Sequence, residues 1–286
     1  MPRAGAAALL ATLAWIGAAT AHPEANDTLL DAGRYPWSAI GRLNGVPGGF
    51  CSGVLIGRRL VLTAAHCLYN KRTQHWAQPD HIHFLPGYAR GDVSVQSPVR
   101  DYRVGPGYQP ASVSVAGEAR DWAVLRLTEP LGDRAGYLGW LAMDTPTLDR
   151  LNRERAAVIA AGYRRNRPHL MSLRGRCEPI GFAKGAAVVM HSCASVPGES
   201  GEPLLVIRDG AFVVVAVNVG LLNGPSGVSG LAVPAQAYDA ATRTDGFEPA
   251  LAADDWGPAA TTLTRRHAAA IEQAFRLVEQ DRASGH

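Results

Sequence analysis

From Phe50 to Cys67 the chain reads FCSGVLIGRRLVLTAAHC, and this stretch restricts the possible folds more than any other. The runs Val54 to Ile56 and Leu60 to Leu62 are β-branched and leucine-rich. With Gly57, Arg58 and Arg59 between them, they predict two strands joined by a turn. Thr63, Ala64 and Ala65 then leave the sheet, and His66 stands at the end of that departure. A disulfide between Cys51 and Cys67 would tie the turn to the first strand, closing a loop worth about 3 kcal/mol in the chain-entropy picture. The whole stretch reads as a device for holding one imidazole in a fixed pose.

Residues 1–21 carry the marks of a secretory signal: Arg3, an apolar run from Ala6 to Ala18, and the small-x-small sequence Ala19-Thr20-Ala21. Cleavage is expected near Ala21, with the mature chain secreted or periplasmic. The apolar run is too short to span a bilayer comfortably, so no stable membrane insertion is expected. Residues 22–34 form an N-terminal segment or short propeptide. Four cysteines in an exported chain fit two disulfides, and three pairings are open. The local one, Cys51 with Cys67 and Cys177 with Cys193, is the simplest. The full chain has 47% hydrophobic residues and 31 glycines, and the part after the signal segment can bury one large core or two coupled ones. The formal charge is only +3 and the arginines are scattered, which argues against a nucleic-acid partner.

Strand-like segments dominate the rest. Tyr35 to Leu43 alternates, as do the short runs from His81 to Val104. His81 and His83 lie two apart on one strand face, but no further ligand set accompanies them and no metal is expected. Asp121 opens the apolar run Trp122 to Leu127, while Asp92 and Asp101 open no comparable strand. Pro130 to Gly132 and Gly136 to Trp140 read as a connection. Ala156 to Gly162 is a small-residue strand, and the arginine-rich Tyr163 to Pro168 reads as a loop. Cys177 and Cys193 bracket a strand-turn-strand. Leu204 to Ile207, the Asp209-Gly210 turn and Ala211 to Gly220 predict a hairpin, and Gly227 to Pro234 a last strand. Helical patterning is scarce before residue 260. From Thr261 to Gln280, apolar residues recur at three and four, which predicts a terminal helix.

Thr63-Ala64-Ala65-His66-Cys67, preceded by Cys51-Ser52-Gly53, resembles the catalytic-histidine motif of trypsin-like (chymotrypsin-fold) serine proteases. Asp121-Trp122-Ala123-Val124-Leu125 resembles the motif that carries their aspartate. Cys193 to Pro203, CASVPGESGEP, resembles their serine motif, and more closely the bacterial secreted branch that includes glutamyl endopeptidases. The resemblance covers roughly Tyr35 to Pro234. It implies an all-β fold of two packed six-stranded antiparallel β-barrels, residues 35–140 and 141–258, with a C-terminal α-helix over 259–286. It further implies a catalytic triad of His66, Asp121 and Ser200, and an oxyanion hole from the amides of Gly198 and Ser200. Ala194 and Ser195 would floor the specificity pocket, and Asn218, Val219 and Gly220 would run beside the substrate. Such an enzyme hydrolyses a protein or peptide substrate as a monomer, with no cofactor.

Three departures qualify the match. No Ile-Val-Gly-Gly N-terminus occurs, Glu199 replaces the aspartate that pairs with that terminus, and Glu202 stands where the family usually has Gly or Ser. Glu202 either perturbs the site or faces outward, and it supports the alternative of a catalytically impaired pseudo-protease acting as an exported binding protein. An α/β-hydrolase esterase is disfavoured, because its serine precedes the acid and histidine within Gly-x-Ser-x-Gly.

Overall fold

Strand β1 (Ile40–Asn44), β2 (Phe50–Leu55), β3 (Leu60–Thr63), β4 (His83–Pro86), β5 (Ser97–Val104) and β6 (Ala123–Leu127) close into one antiparallel barrel. Around it the order is β1-β2-β3-β6-β5-β4. The computed structural model describes residues 28–239, except 111–113, 176, 184–186, 194 and 225–226, together with 276 and 279. The signal segment and nearly all of the expected C-terminal helix lie outside the described residues. Within the barrel the Gly57-Arg58-Arg59 turn forms as the sequence predicts, pairing Val54 with Leu62 and Leu55 with Val61. Arg58 is held from outside by Asp133, at 2.7 Å.

The second half is built on β7 (Ile159–Arg164), β8 (Arg167–Arg174), β9 (Pro179–Phe182), β10 (Val189–His191), β11 (Pro203–Arg208), β12 (Ala211–Gly224) and β13 (Gly227–Pro234). They pair in the order β8-β7-β11-β12-β13-β10-β9. Short strands at Thr28–Leu29, against β8, and Gly139–Trp140, parallel to β12, bring the sheet to nine. The fold is thus all-β, with a closed six-stranded barrel packed against a second barrel that has more strands than expected. Its ladder is open between β8 and β9 among the described residues. Cys177 sits in that β8–β9 connection, where its amide donates to the Val158 carbonyl at 2.7 Å and its disulfide reaches Cys193, just after β10.

Strand β12 shows why its apolar run does not alternate with polar residues. Phe212, Val214 and Val217 enter the core shared by the two barrels, while Val213, Val215 and Ala216 enter a second core on the other face. A strand covered on both sides needs apolar residues at every position. The cover on the second face is a helix, Thr145–Glu154, whose Leu148 and Leu151 are buried there. The sequence reading, with helical patterning scarce before residue 260, places no helix here. Its signals are short but present: the Asp144 side chain caps the Thr147 amide at 2.9 Å, a proline lies in the first turn, and two leucines stand three apart.

The supposed loop Tyr163 to Pro168 is also corrected, since only residues 165 and 166 turn. Tyr163 and Arg164 end β7 and are buried, and Arg167 begins β8. Small residues and arginines look loop-like in sequence, but here they form a hairpin at the junction of the barrels.

That junction centres on Ser52 of β2, which is fully buried. Its hydroxyl donates to the Gly198 carbonyl at 3.0 Å and accepts the Tyr163 amide at 2.8 Å, while its own amide donates to the Ser200 carbonyl at 2.9 Å. Ser52→Ala would leave one donor and one acceptor of the second barrel unpaired inside the protein. The expected cost is about 2 kcal/mol, read as a lower urea midpoint with an unchanged denaturant slope. An unchanged midpoint would show that the clasp contributes nothing.

Candidate active site

His66 leaves β3 on a single 3-10 turn, Ala65–Leu68, and its side chain is 25% exposed. Asp121, at the mouth of β6, uses both carboxylate oxygens on it. Oδ2 lies 2.7 Å from the His66 ring Nδ1, and Oδ1 accepts the His66 backbone amide, also at 2.7 Å. A carboxylate in that position makes Nδ1 the protonated nitrogen of the neutral ring and leaves the Nε2 lone pair facing away. Burial alone would push His66 down, but the charge and hydrogen bond of Asp121, with Glu118 beyond, hold its pKa above the ordinary value. The rival aspartates are engaged elsewhere: Asp101 with Arg126, and Asp92 with the Ser94 amide at 2.8 Å.

The sulfurs of Cys51 and Cys67 lie within 4.8 Å of a His66 ring nitrogen and of each other. They are joined as a disulfide, so this group has no thiolate to offer a metal ion. The Cys67 sulfur also lies 3.9 Å from the Ser200 carbonyl oxygen. One sulfur therefore has the His66 ring on one side and the peptide of Ser200 on another.

The Ser200 loop is laid directly against the end of β3. At Gly201, with φ +81°, a Cβ would sit 2.1 Å from Thr63 Oγ1 and 2.3 Å from the Ser52 carbonyl oxygen, so only glycine fits. Most amides in the loop are committed. Those of Glu199 and Val196 go to the Val196 carbonyl and the Glu199 carboxylate, Gly201 donates to the Asn218 carbonyl, and Glu202 to the Glu199 carbonyl. No hydrogen bond among the described residues uses the amide of Gly198 or of Ser200. Gly198 is buried at φ +101°. Buried amides are nearly always paired, so the uncommitted Gly198 amide, with that of half-buried Ser200 beyond the committed Glu199 amide, leaves two donors available to a ligand.

Beneath the loop lie two carboxylates and two guanidiniums. Glu199 and Glu202 are each 1% exposed. Glu199 pairs with Arg164 at 2.5 Å and with Arg174 at 2.9 Å. Glu202 also contacts Arg174 and accepts from Asn218 Nδ2 at 2.9 Å. Glu202 thus lies buried beneath the loop and does not face outward. Burial, and next to it the charge of Glu199, push its pKa up, while Arg174 and Asn218 pull it down. Sequence reading missed both arginines. The available signal was Glu199 itself, a carboxylate requiring a buried cation, but nothing along the chain says which cation comes back to it.

Of the expected pocket residues, Ala194 lies outside the described residues and Ser195 is half-buried. Asn218 is fully buried, its amide and carbonyl both bonded to the Gly201–Glu202 segment. It supports the wall from behind, and the open edge of β12 begins after it, with Gly220 half-buried and Leu221 exposed. His191 was not foreseen near this wall. It packs on Gly230, where a Cβ would meet its ring at 2.1 Å, and burial followed by the charge of Arg174 pushes its pKa down to about 3.

Arg174→Met would leave two buried carboxylates short of their shared cation, and the expected loss is about 3–5 kcal/mol in urea unfolding. Arg174→Met/Glu202→Met should recover part of it, because Glu199 keeps Arg164. A single variant as stable as the parent would mean that the pairing is not structural.

The sequence model of the family described as Trypsin matches residues 30–241. Among solved structures, one titled as a Glu endopeptidase in complex with MPD superposes with a TM-score of 0.57 at 16% identity. It covers 76% of this chain and 97% of its own. At that identity the likeness speaks for the fold alone. No curated protein sequence matches significantly. The matched span takes in β1 to β13 together with the loops of His66, Asp121 and Ser200, and the chain belongs to the trypsin family of chymotrypsin-fold serine proteases.

Proposed function

We propose that this chain is an exported serine endopeptidase in which Ser200 is the nucleophile, His66 the general base and acid, and Asp121 the residue that orients His66. The observation that carries the reading is the pair of uncommitted amides, Gly198 and Ser200, beside a histidine already fixed by an aspartate. In this reading His66 Nε2 takes the Ser200 hydroxyl proton as the oxygen attacks a peptide carbonyl. The two amides then receive the negative charge that forms on the carbonyl oxygen. The imidazolium, stabilised by Asp121, returns the proton to the leaving amine, and water hydrolyses the acyl-enzyme by the same route.

An extended peptide fits the free edge of β12 beyond Asn218, where the ladder to β13 shifts register between Asn218 and Gly220. No step needs a metal or cofactor. All the groups come from one chain, so the monomer expected from the sequence suffices. Two disulfides suit an oxidising compartment, which supports export after cleavage near Ala21. Among the described residues no helix is long and apolar enough to cross a membrane. The binding-only alternative rested on Glu202, and that carboxylate is engaged below the loop and not in the cleft.

A fluorophosphonate probe should label the wild-type protein and not Ser200→Ala, and an unlabelled, correctly folded wild type would favour the binding protein. The base must be neutral to act. A raised His66 pKa therefore moves the acid limb of kcat/KM to a pH above histidine's ordinary 6.5. Asp121→Asn should lower that limb and reduce kcat by about 10,000-fold. An acid limb in the variant at the same pH as in the parent would sink the assignment of Asp121.

A further inference from the structure

One carboxylate in the cleft is not used by this mechanism. Glu118 ends the short helix Val115–Glu118, three residues before Asp121, and its carbonyl accepts the Asp121 amide at 3.0 Å. Its position is therefore tied to that of Asp121. The side chain, half-buried, reaches across to the second barrel. A Cβ built on Gly220 would lie 3.6 Å from Glu118 Oε2 and 4.0 Å from its Cδ, with no other described atom within 4 Å. These are ordinary contact distances, so the Glu118 carboxylate lies against Gly220 at the edge of β12.

Resting on the protease reading above, we propose that Glu118 makes this enzyme select substrates with a lysine or arginine immediately N-terminal to the residue whose carbonyl is attacked. Side chains alternate along an extended peptide. On the free edge of β12, the residue that is cut turns its side chain toward the Ser195 side of the cleft. The preceding residue then turns the opposite way, over Gly220 and toward His66 and Glu118. Gly220 has no side chain to shield the Glu118 carboxylate that lies against it, so a long substrate side chain passing this edge meets that carboxylate. The charge there is uneven. Burial, and next to it the charge of Asp121, push Glu118 up to about 7, and His66 and Lys71 only partly offset them. A cation arriving from the substrate would relieve that repulsion, whereas a substrate carboxylate would add a third negative charge.

The test uses three peptides, identical except for Lys, Gln or Glu before the scissile residue, built on any sequence the enzyme cleaves. In the wild type, kcat/KM for the Lys peptide should exceed that for the Glu peptide by about tenfold or more, with Gln between, the scale of one charge-assisted hydrogen bond. Glu118→Gln should bring Lys and Glu to within about twofold, the scale left when only exposed pairing remains. Glu118→Lys should invert the order.

Equal rates for Lys and Glu in the wild type would overturn the proposal. So would a Glu118→Gln variant that slows all three peptides alike, because the carboxylate would then act only through His66. Probe labelling of Ser200 is run alongside. If the folded wild type neither labels nor cleaves, the protease reading has failed. The proposal, which rests on that reading, is then overturned with it, whereas equal Lys and Glu rates in an enzyme that labels overturn the proposal alone.

Discussion

The arrangement depends on Ser52, a small residue in the middle of a strand whose polar atoms are all committed at the crossing of the two barrels. Its hydroxyl and amide hold the Gly198 and Ser200 carbonyls, and its carbonyl accepts the Thr63 hydroxyl at 2.7 Å. Thr63 is the last residue of the strand that delivers His66. The clasp therefore joins the loop of the proposed nucleophile to the strand of the proposed base without passing through solvent. The Gly198 and Ser200 amides lie in the peptides whose carbonyls belong to Pro197 and Glu199, and those carbonyls are held by the Arg165 amide at 2.8 Å and the Glu202 amide at 2.9 Å.

The electrostatics below the loop follow from burial. Two carboxylates face two guanidiniums, and each carboxylate has at least one charged hydrogen-bond partner. Without that pairing, burying them would cost several kcal/mol each. The same set bears on the missing Ile-Val-Gly-Gly. Arg164 and Arg174 occupy the two oxygens of Glu199, so the residue that in trypsin pairs with a new N-terminus already has internal cations. Glu202 and Asn218 extend the set to the back of the β12 edge. Loop and substrate strand are thus braced by one polar network.

Much of the first barrel and the chemistry-bearing motifs were legible because local rules decide them. Apolar runs about Gly57, an Asp-Gly turn at 209–210, and a histidine between a strand and a cysteine need no distant information. The misreadings share a different cause. The arginines around position 164 look solvated until Glu199 is folded onto them from 35 residues away. The helix Thr145–Glu154 offers only two buried leucines, and its existence follows from the second face of β12 needing cover. Asn218 occupies a plausible place for a substrate-facing residue, but the carbonyl of Glu202 and the amide of Gly201 turn its backbone inward.

The amino-acid sequence alone determined which residue types could do the chemistry, the strand-rich character of the chain, and the local cysteine pairs, because each depends on neighbours within about twenty positions. Tertiary structure alone decided that Asp121 grips His66 through both oxygens, that Glu202 lies beneath the loop, and that Glu118 faces Gly220 across the cleft. Those are contacts between the two barrels, or between loops at the mouth of one of them. Their partners are selected by how two sheets pack, a property of the assembled surfaces that no short stretch of chain encodes.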